Sequence, residues 1–287
     1  MRFFDMLYSL RFRLQADKKL EKGDCLGPAL HGALMEMIPE SFVEQLHVSS
    51  VHPFSQYVET DSRSGEITWT IAALNQVAKE QILDRVQMVP EIRLKYKDVR
   101  LTVQERTIKY IPGDVFLKDY LMTDRERIIH VSFLSPTSFK QNDEYVLFPT
   151  TRLILQSLMN RYDASADDDT SMADPDVLAS LENQIKIVGY RLRSAKYPVG
   201  GVRIPSFVGD VTLRVFGPQQ MVNLVWMLLK YGEFSGVGIK TALGMGAIIV
   251  TGGDNRVGND EDSTDSVARR NRKDRCSSSK ASEESVQ

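Results

Sequence analysis

Cysteine is almost missing from this 287-residue chain. Cys25 and Cys276 are the two present, and they supply neither a disulfide framework nor the paired spacing of a cysteine-based metal site. Long apolar runs are missing too. The longest candidate, Met221 to Leu229, falls far short of the roughly 20 residues a membrane helix needs. Met1-Arg2-Phe3-Phe4 leads into alternation rather than an apolar stretch with a cleavage site, so no signal peptide is read. Together these absences point to a soluble cytoplasmic protein. Two nucleotide-binding signatures are also lacking. A Walker A loop places Gly directly before Lys, whereas Ile239 separates Gly238 from Lys240, and a dinucleotide fingerprint follows a strand and opens a helix, the reverse of the order here. Nor does any strand carry the Gly-Phe-Gly-Phe pattern on which RNA-recognition motifs stack bases.

Excess charge of either sign is absent overall, at a formal −2, but the charges are unevenly spread. Residues 163 to 182 hold seven acidic side chains and no Lys or Arg, and residues 252 to 287 are net −1, which leaves the rest of the chain at +6. A moderately basic body is compatible with contact to a polyanion.

Hydropathy patterning organises the remainder. Tyr8, Leu10, Phe12 and Leu14 alternate with Ser9, Arg11 and Arg13, the period of a half-buried strand. Leu26, Leu30, Ala33, Leu34 and Met37 recur at helical spacing until Pro39 ends the run. Strands near 54–57 and 66–74, a helix around 76–87 and strands between 93 and 110 complete a β-α-β-β-α-β order. The order then repeats: a strand through Ile129, Val131 and Phe133, a helix over about 150–162, strands at 186–192 and 208–216, a helix opened by Pro218, and a last strand at 247–250. The expectation is an α+β protein of two tandem ferredoxin-like domains, 1–125 and 126–251. Residues 252–287 read as a disordered tail, and the acidic stretch from Asp163 to Asp174 as an exposed insertion.

Between the last helix and the last strand lies the most distinctive segment. Gly232-Glu233-Phe234-Ser235-Gly236-Val237-Gly238-Ile239-Lys240-Thr241-Ala242-Leu243-Gly244-Met245-Gly246 combines five glycines with one lysine. Glycines permit positive φ and close approach, so backbone N–H groups can converge on an anion beside the Lys240 charge. A tight helix-to-strand turn is the competing explanation of the same composition.

This loop resembles the glycine-rich signature near the carboxy terminus of the CRISPR-associated endoribonucleases, RAMP-superfamily enzymes that cut precursor CRISPR RNA within its repeats. Three further segments agree in order and spacing: 27–34 (Gly-Pro-Ala-Leu-His-Gly-Ala-Leu), Leu46-His47 followed by Val51-His52-Pro53-Phe54-Ser55, and 133–139 (Phe-Leu-Ser-Pro-Thr-Ser-Phe). The likeness spans residues 1 to about 251. It implies tandem ferredoxin-like domains, CRISPR repeat RNA as substrate and partner, and a subunit of a CRISPR effector complex as a further partner. A monomer or homodimer with no membrane contact is expected. A non-catalytic RNA-binding RAMP subunit is the alternative reading.

Chemistry without a metal requires a base to take the 2′-hydroxyl proton and an acid to protonate the leaving 5′-oxygen. Such a cut leaves a 2′,3′-cyclic phosphate, and imidazole suits both roles near neutrality. Four histidines are present, His31, His47, His52 and His130. His31 lies at the flank of the first helix's apolar stripe, where a partly exposed surface histidine is the competing explanation. The resemblance implies a catalytic role there, and another at His47, read as lying in the loop after that helix. Some relatives carry a lysine near position 52, but none occurs here between Lys22 and Lys79; His52, or Arg63 approaching in space, is the substitute. His130 alternates with core residues and reads as an exposed strand position. Lys240 is the first choice for phosphate contact, with Ser235 and the backbone at Gly236, Gly238, Gly244 and Gly246. Arg191, Arg193, Lys196 and Arg203 flank a hairpin of the second domain and are joint candidates for gripping RNA. His47 and His52 lack the i, i+4 spacing and acidic partner of a helical zinc site, so neither metal nor other cofactor is expected.

Overall fold

The computed structural model describes residues 6–20, 25–61, 63–165 and 171–252. Its first half follows the order β1 (Met6–Ala16), α1 (Gly27–Met37), α2 (Glu40–Val48), β2 (Phe54–Thr60) and β3 (Ile67–Ala73). A helical passage of α3 (Gln76–Ala78), a π turn (Lys79–Leu83) and α4 (Asp84–Val86) leads to β4 (Glu91–Leu94) and β5 (Val99–Pro112). The strands lie in the order β2-β3-β1-β5-β4, antiparallel where they pair, with Tyr8 opposite Ala73 and Leu14 opposite Ile67. With β4 set aside as an added edge, this is the βαββαβ sheet of a ferredoxin-like unit.

The second half begins after α5 (Gly113–Met122) with β6 (Ile128–Thr137) and a small hairpin, β7 (Phe139–Gln141) and β8 (Glu144–Val146). It continues through α6 (Thr151–Ser165), α7 (Pro175–Gln184), β9 (Ile185–Val199), β10 (Val202–Val215), α8 (Gln219–Ser235) and β11 (Ile248–Gly252). Its main sheet runs β11-β6-β10-β9, the same strand permutation. Two ferredoxin-like units therefore stand in tandem.

The period-2 expectation for β1 holds because Leu10, Phe12 and Leu14 are buried against Leu30 and Leu34 of α1, while Arg11 and Arg13 are exposed. In the second unit Ile129, Val131 and Phe133 meet Leu155, Leu158 and Met159 of α6 and Val225 and Leu228 of α8. Burial of one such side chain contributes about 1.5–3 kcal/mol, so each layer is held by its apolar stripe more than by helix propensity. Phe116 and Leu117 of α5 pack into this second core, as does Leu7 of β1.

Several elements escaped the pattern. His47 stands in the last turn of α2 rather than in a loop, because Phe42 and Leu46 bury a short apolar stripe beyond Pro39. Within the acidic stretch, Asp174 caps α7 by accepting from the Asp176 and Val177 amides, so acid here starts a helix. Asp163 accepts from the Ser171 hydroxyl and the Met172 and Ala173 amides. The β9–β10 hairpin is about twice its expected length, because its outer half has little core to signal it. Residues 253–287, read as a tail, and Asp167 to Asp169 of the insertion lie outside the described residues. No described helix is long and apolar enough to cross a membrane.

Candidate active site

A cleft of about 520 Å³ opens where α1 and the α2–β2 connection of the first unit face the glycine loop and α6 of the second. His31 and His52 line it together with Lys240, Arg161, Lys140 and Tyr145, and among the described residues no carboxylate does. His31 arrives from the second turn of α1. His52 arrives because Pro53 holds the chain extended into β2, whose first residue, Phe54, is fully buried. Phe54 serves both imidazoles: His31 stacks parallel to it at 6.2 Å, and His52 lies tilted against it at 5.8 Å. The Nδ1 atoms of both rings are buried without a hydrogen-bond partner.

Burial and the cations nearby set the protonation of the pair. Burial pushes His31 down to about 4; the Ala242 backbone opposes this, and His52, His47 and Lys240 add to it. His52 is lowered as well, by burial first and then by Arg161, Lys240 and His47. His31 is thus neutral at pH 7 in the free protein and able to accept a proton. The sign for stability follows. The unfolded chain binds a proton at His31 between about pH 6.5 and 4 that the folded chain refuses, so this group's stabilisation is complete above 6.5 and lost as pH falls toward 4. Discounted for the ring's exposed edge, the effect is about 2 kcal/mol. Urea titrations of the parent and of His31→Phe across pH 7 to 4 measure it: the parent should lose that much more stability than the variant on acidification.

The cleft is held in register by Gln56 on β2, which is 1% exposed. Its Nε2 donates to the Ala242 carbonyl at 2.8 Å and to the Gly27 carbonyl at 3.3 Å, while its Oε1 accepts from Trp69 Nε1 at 2.5 Å. One amide thereby ties the start of the histidine-bearing helix to the turn that follows Lys240. Beside it, the Ser55 hydroxyl donates to the Phe234 carbonyl, and Tyr197 of β9 donates to the Leu243 carbonyl at 2.5 Å. Gln56→Leu leaves the buried Trp69 Nε1 without an acceptor and removes the side-chain tie between the Gly27 and Ala242 carbonyls, which should cost about 3 kcal/mol in a denaturation experiment. His31 and Lys240 lose their common reference with it.

The glycine loop is arranged otherwise than a phosphate cradle spanning Gly236 to Gly246. Val237 donates to the Gly246 carbonyl, Gly238 to Ser157 Oγ, Ile239 to the Ser138 carbonyl and Gly246 to the Pro136 carbonyl. Gly236 and Gly244 likewise donate within the chain, to the Gly232 and Thr241 carbonyls. Among the described residues of this stretch, the amides left without an acceptor are those of Lys240, Thr241 and Ala242, at the start of a short 3-10 turn (Thr241–Leu243). Lys240 is exposed and sits in the left-handed region at φ 56°, unusual for a residue with a Cβ. Ser235, expected to help hold phosphate, is fully buried and donates to the Gly236 carbonyl, so its hydroxyl does not reach the cleft.

The other expected residues are dispersed. His47 is exposed and does not line the cleft, though its charge acts on both cleft histidines. Arg63 sits in the turn after β2, at the far end of that strand from Phe54, about 20 Å away at 3.3 Å per residue, and cannot replace the missing lysine. His130 is half-buried, its Nδ1 3.0 Å from Thr212 Oγ1. Arg191, Arg193, Lys196 and Arg203 are exposed on the long hairpin outside the cleft. Strand alternation separates them: Arg191 and Arg193 share the face of Tyr197, while Lys196 and Arg203 occupy the other. Arg161, Ser157 and Tyr145 were missed. Arg161 and Ser157 lie within an apolar helix pattern, and nothing local to them marks a site.

A relative from Mycobacterium tuberculosis (strain CDC 1551 / Oshkosh), named CRISPR-associated endoribonuclease Cas6, is 36% identical over 253 residues, 87% of this chain and 80% of its own length. The chain belongs to the Cas6 family. It is accordingly an endoribonuclease rather than the non-catalytic subunit held as the alternative. A Streptococcus thermophilus Cas6 is 31% identical over 223 residues, 78% of this chain and 90% of that protein. The family model for CRISPR-associated endoribonuclease Cas6 matches residues 131–248, a span that includes α6, the hairpin and the glycine loop. In fold, the product complex of a Thermus thermophilus Cas6 resembles this Cas6 chain with a TM-score of 0.70 at 19% identity, covering 86% of this chain and all of that one.

Proposed function

We propose that this Cas6 chain cuts the repeat RNA of precursor CRISPR transcripts without a metal ion, by attack of the 2′-hydroxyl on the adjacent phosphate. The products are a 2′,3′-cyclic phosphate and a 5′-hydroxyl. The observation that carries this reading is the pair His31 and His52 on the shared Phe54 platform, facing Lys240 across one cleft. His31, neutral at pH 7, takes the 2′-hydroxyl proton as O2′ bonds to phosphorus. As the P–O5′ bond breaks, the departing oxygen is protonated by the second imidazole, assigned to His52 and assisted by His47. A phosphate bound between them raises both imidazoles from their depressed free-protein positions by placing negative charge beside them.

Residues 1–125 carry the proton-transfer groups on this reading, and residues 126–251 hold the strand through Lys240 and the amides of residues 240–242. The hairpin cations Arg191, Arg193, Lys196 and Arg203 contact flanking RNA. The described residues that line the cleft include imidazoles, cations and hydroxyls, a set suited to imidazole chemistry, whereas a two-metal site is built on acidic ligands. The released guide stays bound and passes to an effector complex.

The test compares an all-ribose repeat RNA with one carrying a single 2′-deoxy at the cut, both in EDTA. The ribose strand should be cut at an undiminished rate, and the deoxy strand bound equally well and left intact. Activity lost in EDTA and restored by a divalent ion would overturn the metal-free reading; scission of the deoxy strand would overturn hydroxyl attack.

A further inference from the structure

Helix α6 carries a cation that, among the described residues, has no acid beside it. Arg161 is 9% exposed, and the part left exposed lines the cleft beside His52. Its Nη2 donates to the Gly238 carbonyl at 2.9 Å, and its Nε is buried with no partner. Among the described residues no carboxylate pairs with it: burial pushes the guanidinium down to about 10, and the group opposing that is the Tyr231 hydroxyl, not an acid. The side chain is still charged at neutrality. An uncompensated buried charge is among the costlier arrangements a fold can hold, and removal of its counter-ion normally selects against the charge itself. Holding the loop does not require it. Ser157, one turn earlier on α6, already accepts from the Gly238 amide at 2.7 Å, and a neutral donor would serve the carbonyl equally well.

We infer that Arg161 is a phosphate-contacting residue, whose missing anion is the non-bridging oxygen of the phosphate being cut. This rests on the cleavage reading above. In that step the 2′-hydroxyl proton goes to the base, the O2′–P bond forms, the P–O5′ bond breaks and the acid's proton goes to O5′. The phosphorane between these events carries one more negative charge than the starting diester. Arg161 neither gives nor receives a proton; it donates hydrogen bonds to the oxygen on which that charge collects. Position 161 also lies next to His52 in effect: its charge is, after burial, the largest influence lowering that imidazole. The same guanidinium therefore keeps His52 ready to release its proton to the leaving oxygen.

The experiment uses the full chain with repeat RNA bearing a single phosphorothioate at the cut, as separate Rp and Sp diastereomers, under single-turnover conditions. The parent should cut one diastereomer at least about ten-fold more slowly than the other, because sulfur is a poor acceptor for the guanidinium. Arg161→Gln should cut the all-oxygen RNA about 100-fold more slowly, the loss typical of one transition-state donor. It should bring the two diastereomers to within about two-fold while binding 2′-deoxy RNA nearly as tightly as the parent. A purely structural role would weaken binding and stability and leave the diastereomer ratio untouched. Arg161→Lys, which keeps a cation within reach of the Gly238 carbonyl, carries the comparison should the glutamine variant unfold. Equal cutting of both diastereomers by the parent, or a parental ratio in the variants, overturns the assignment. Those results leave hydroxyl attack standing, since that reading fails only if the parent cuts the 2′-deoxy strand.

Discussion

The double variant His31→Ala/His52→Ala is expected to cut repeat RNA about four orders of magnitude more slowly than the parent, with binding of a 2′-deoxy repeat changed by no more than a few-fold. Each positioned acid or base contributes typically 10²–10⁴ in rate, and losing one partner strands the other, so the double loss is close to the larger single loss. Binding is spared because the cations of the cleft, Lys240, Arg161 and Lys140, remain in place. Replacing both rings also removes two groups that burial holds below their ordinary range, so the variant should gain rather than lose stability at pH 5. Single-turnover cleavage alongside a filter-binding isotherm measures both sides. Cleavage within ten-fold of the parent would remove the imidazoles from the chemistry. His47→Ala, made alone, should have the smaller effect of an exposed group acting through its field.

Gly246→Ala should unfold the loop rather than merely weaken RNA contact. Gly246 has φ 75°, and a Cβ there would stand 2.0 Å from the Val237 carbonyl oxygen. Gly238, at φ 81°, would place one 2.3 Å from the Ser138 carbonyl oxygen. Neither obstacle is a side chain that can swing away; both are backbone, so the segments carrying them must separate. The left-handed conformation adds roughly 1–2 kcal/mol for a residue with a Cβ, and the steric term adds more, so a loss of about 4 kcal/mol is expected from either substitution. Lys240→Ala is the contrast. It should lower RNA affinity and the salt dependence of binding with little change in denaturation midpoint, because the side chain is exposed. If Gly246→Ala kept the parent's midpoint and lost only RNA binding, the glycines would be a phosphate cradle after all.

That contrast marks where a linear reading of the glycine loop stops. Five glycines around one lysine are legible as a segment with unusual backbone needs. Whether those needs serve a ligand or the chain itself depends on where the Pro136, Ser138 and Ser157 acceptors lie, and these are about 80 to 110 residues away. Ser235 shows the same limit: its spacing in the loop promised a phosphate contact, and the carboxy-terminal turn of α8 directs it inward instead.

The alternation in β1, the Leu26 to Met37 stripe and the repetition of β-α-β-β-α-β were determined by the sequence alone, since the period of apolar residues reports locally which side of an element must leave water. The permutation of strands follows from that order and the short antiparallel connections. Only the tertiary structure decided that His31 and His52 share Phe54, that Gln56 binds Gly27 to Ala242, that Arg63 is a strand's length from the cleft, and that Arg161 lies buried with no acid beside it among the described residues. Each of these depends on which distant segments meet when two sheets and their helices pack, and hydropathy along a chain carries no record of its partner.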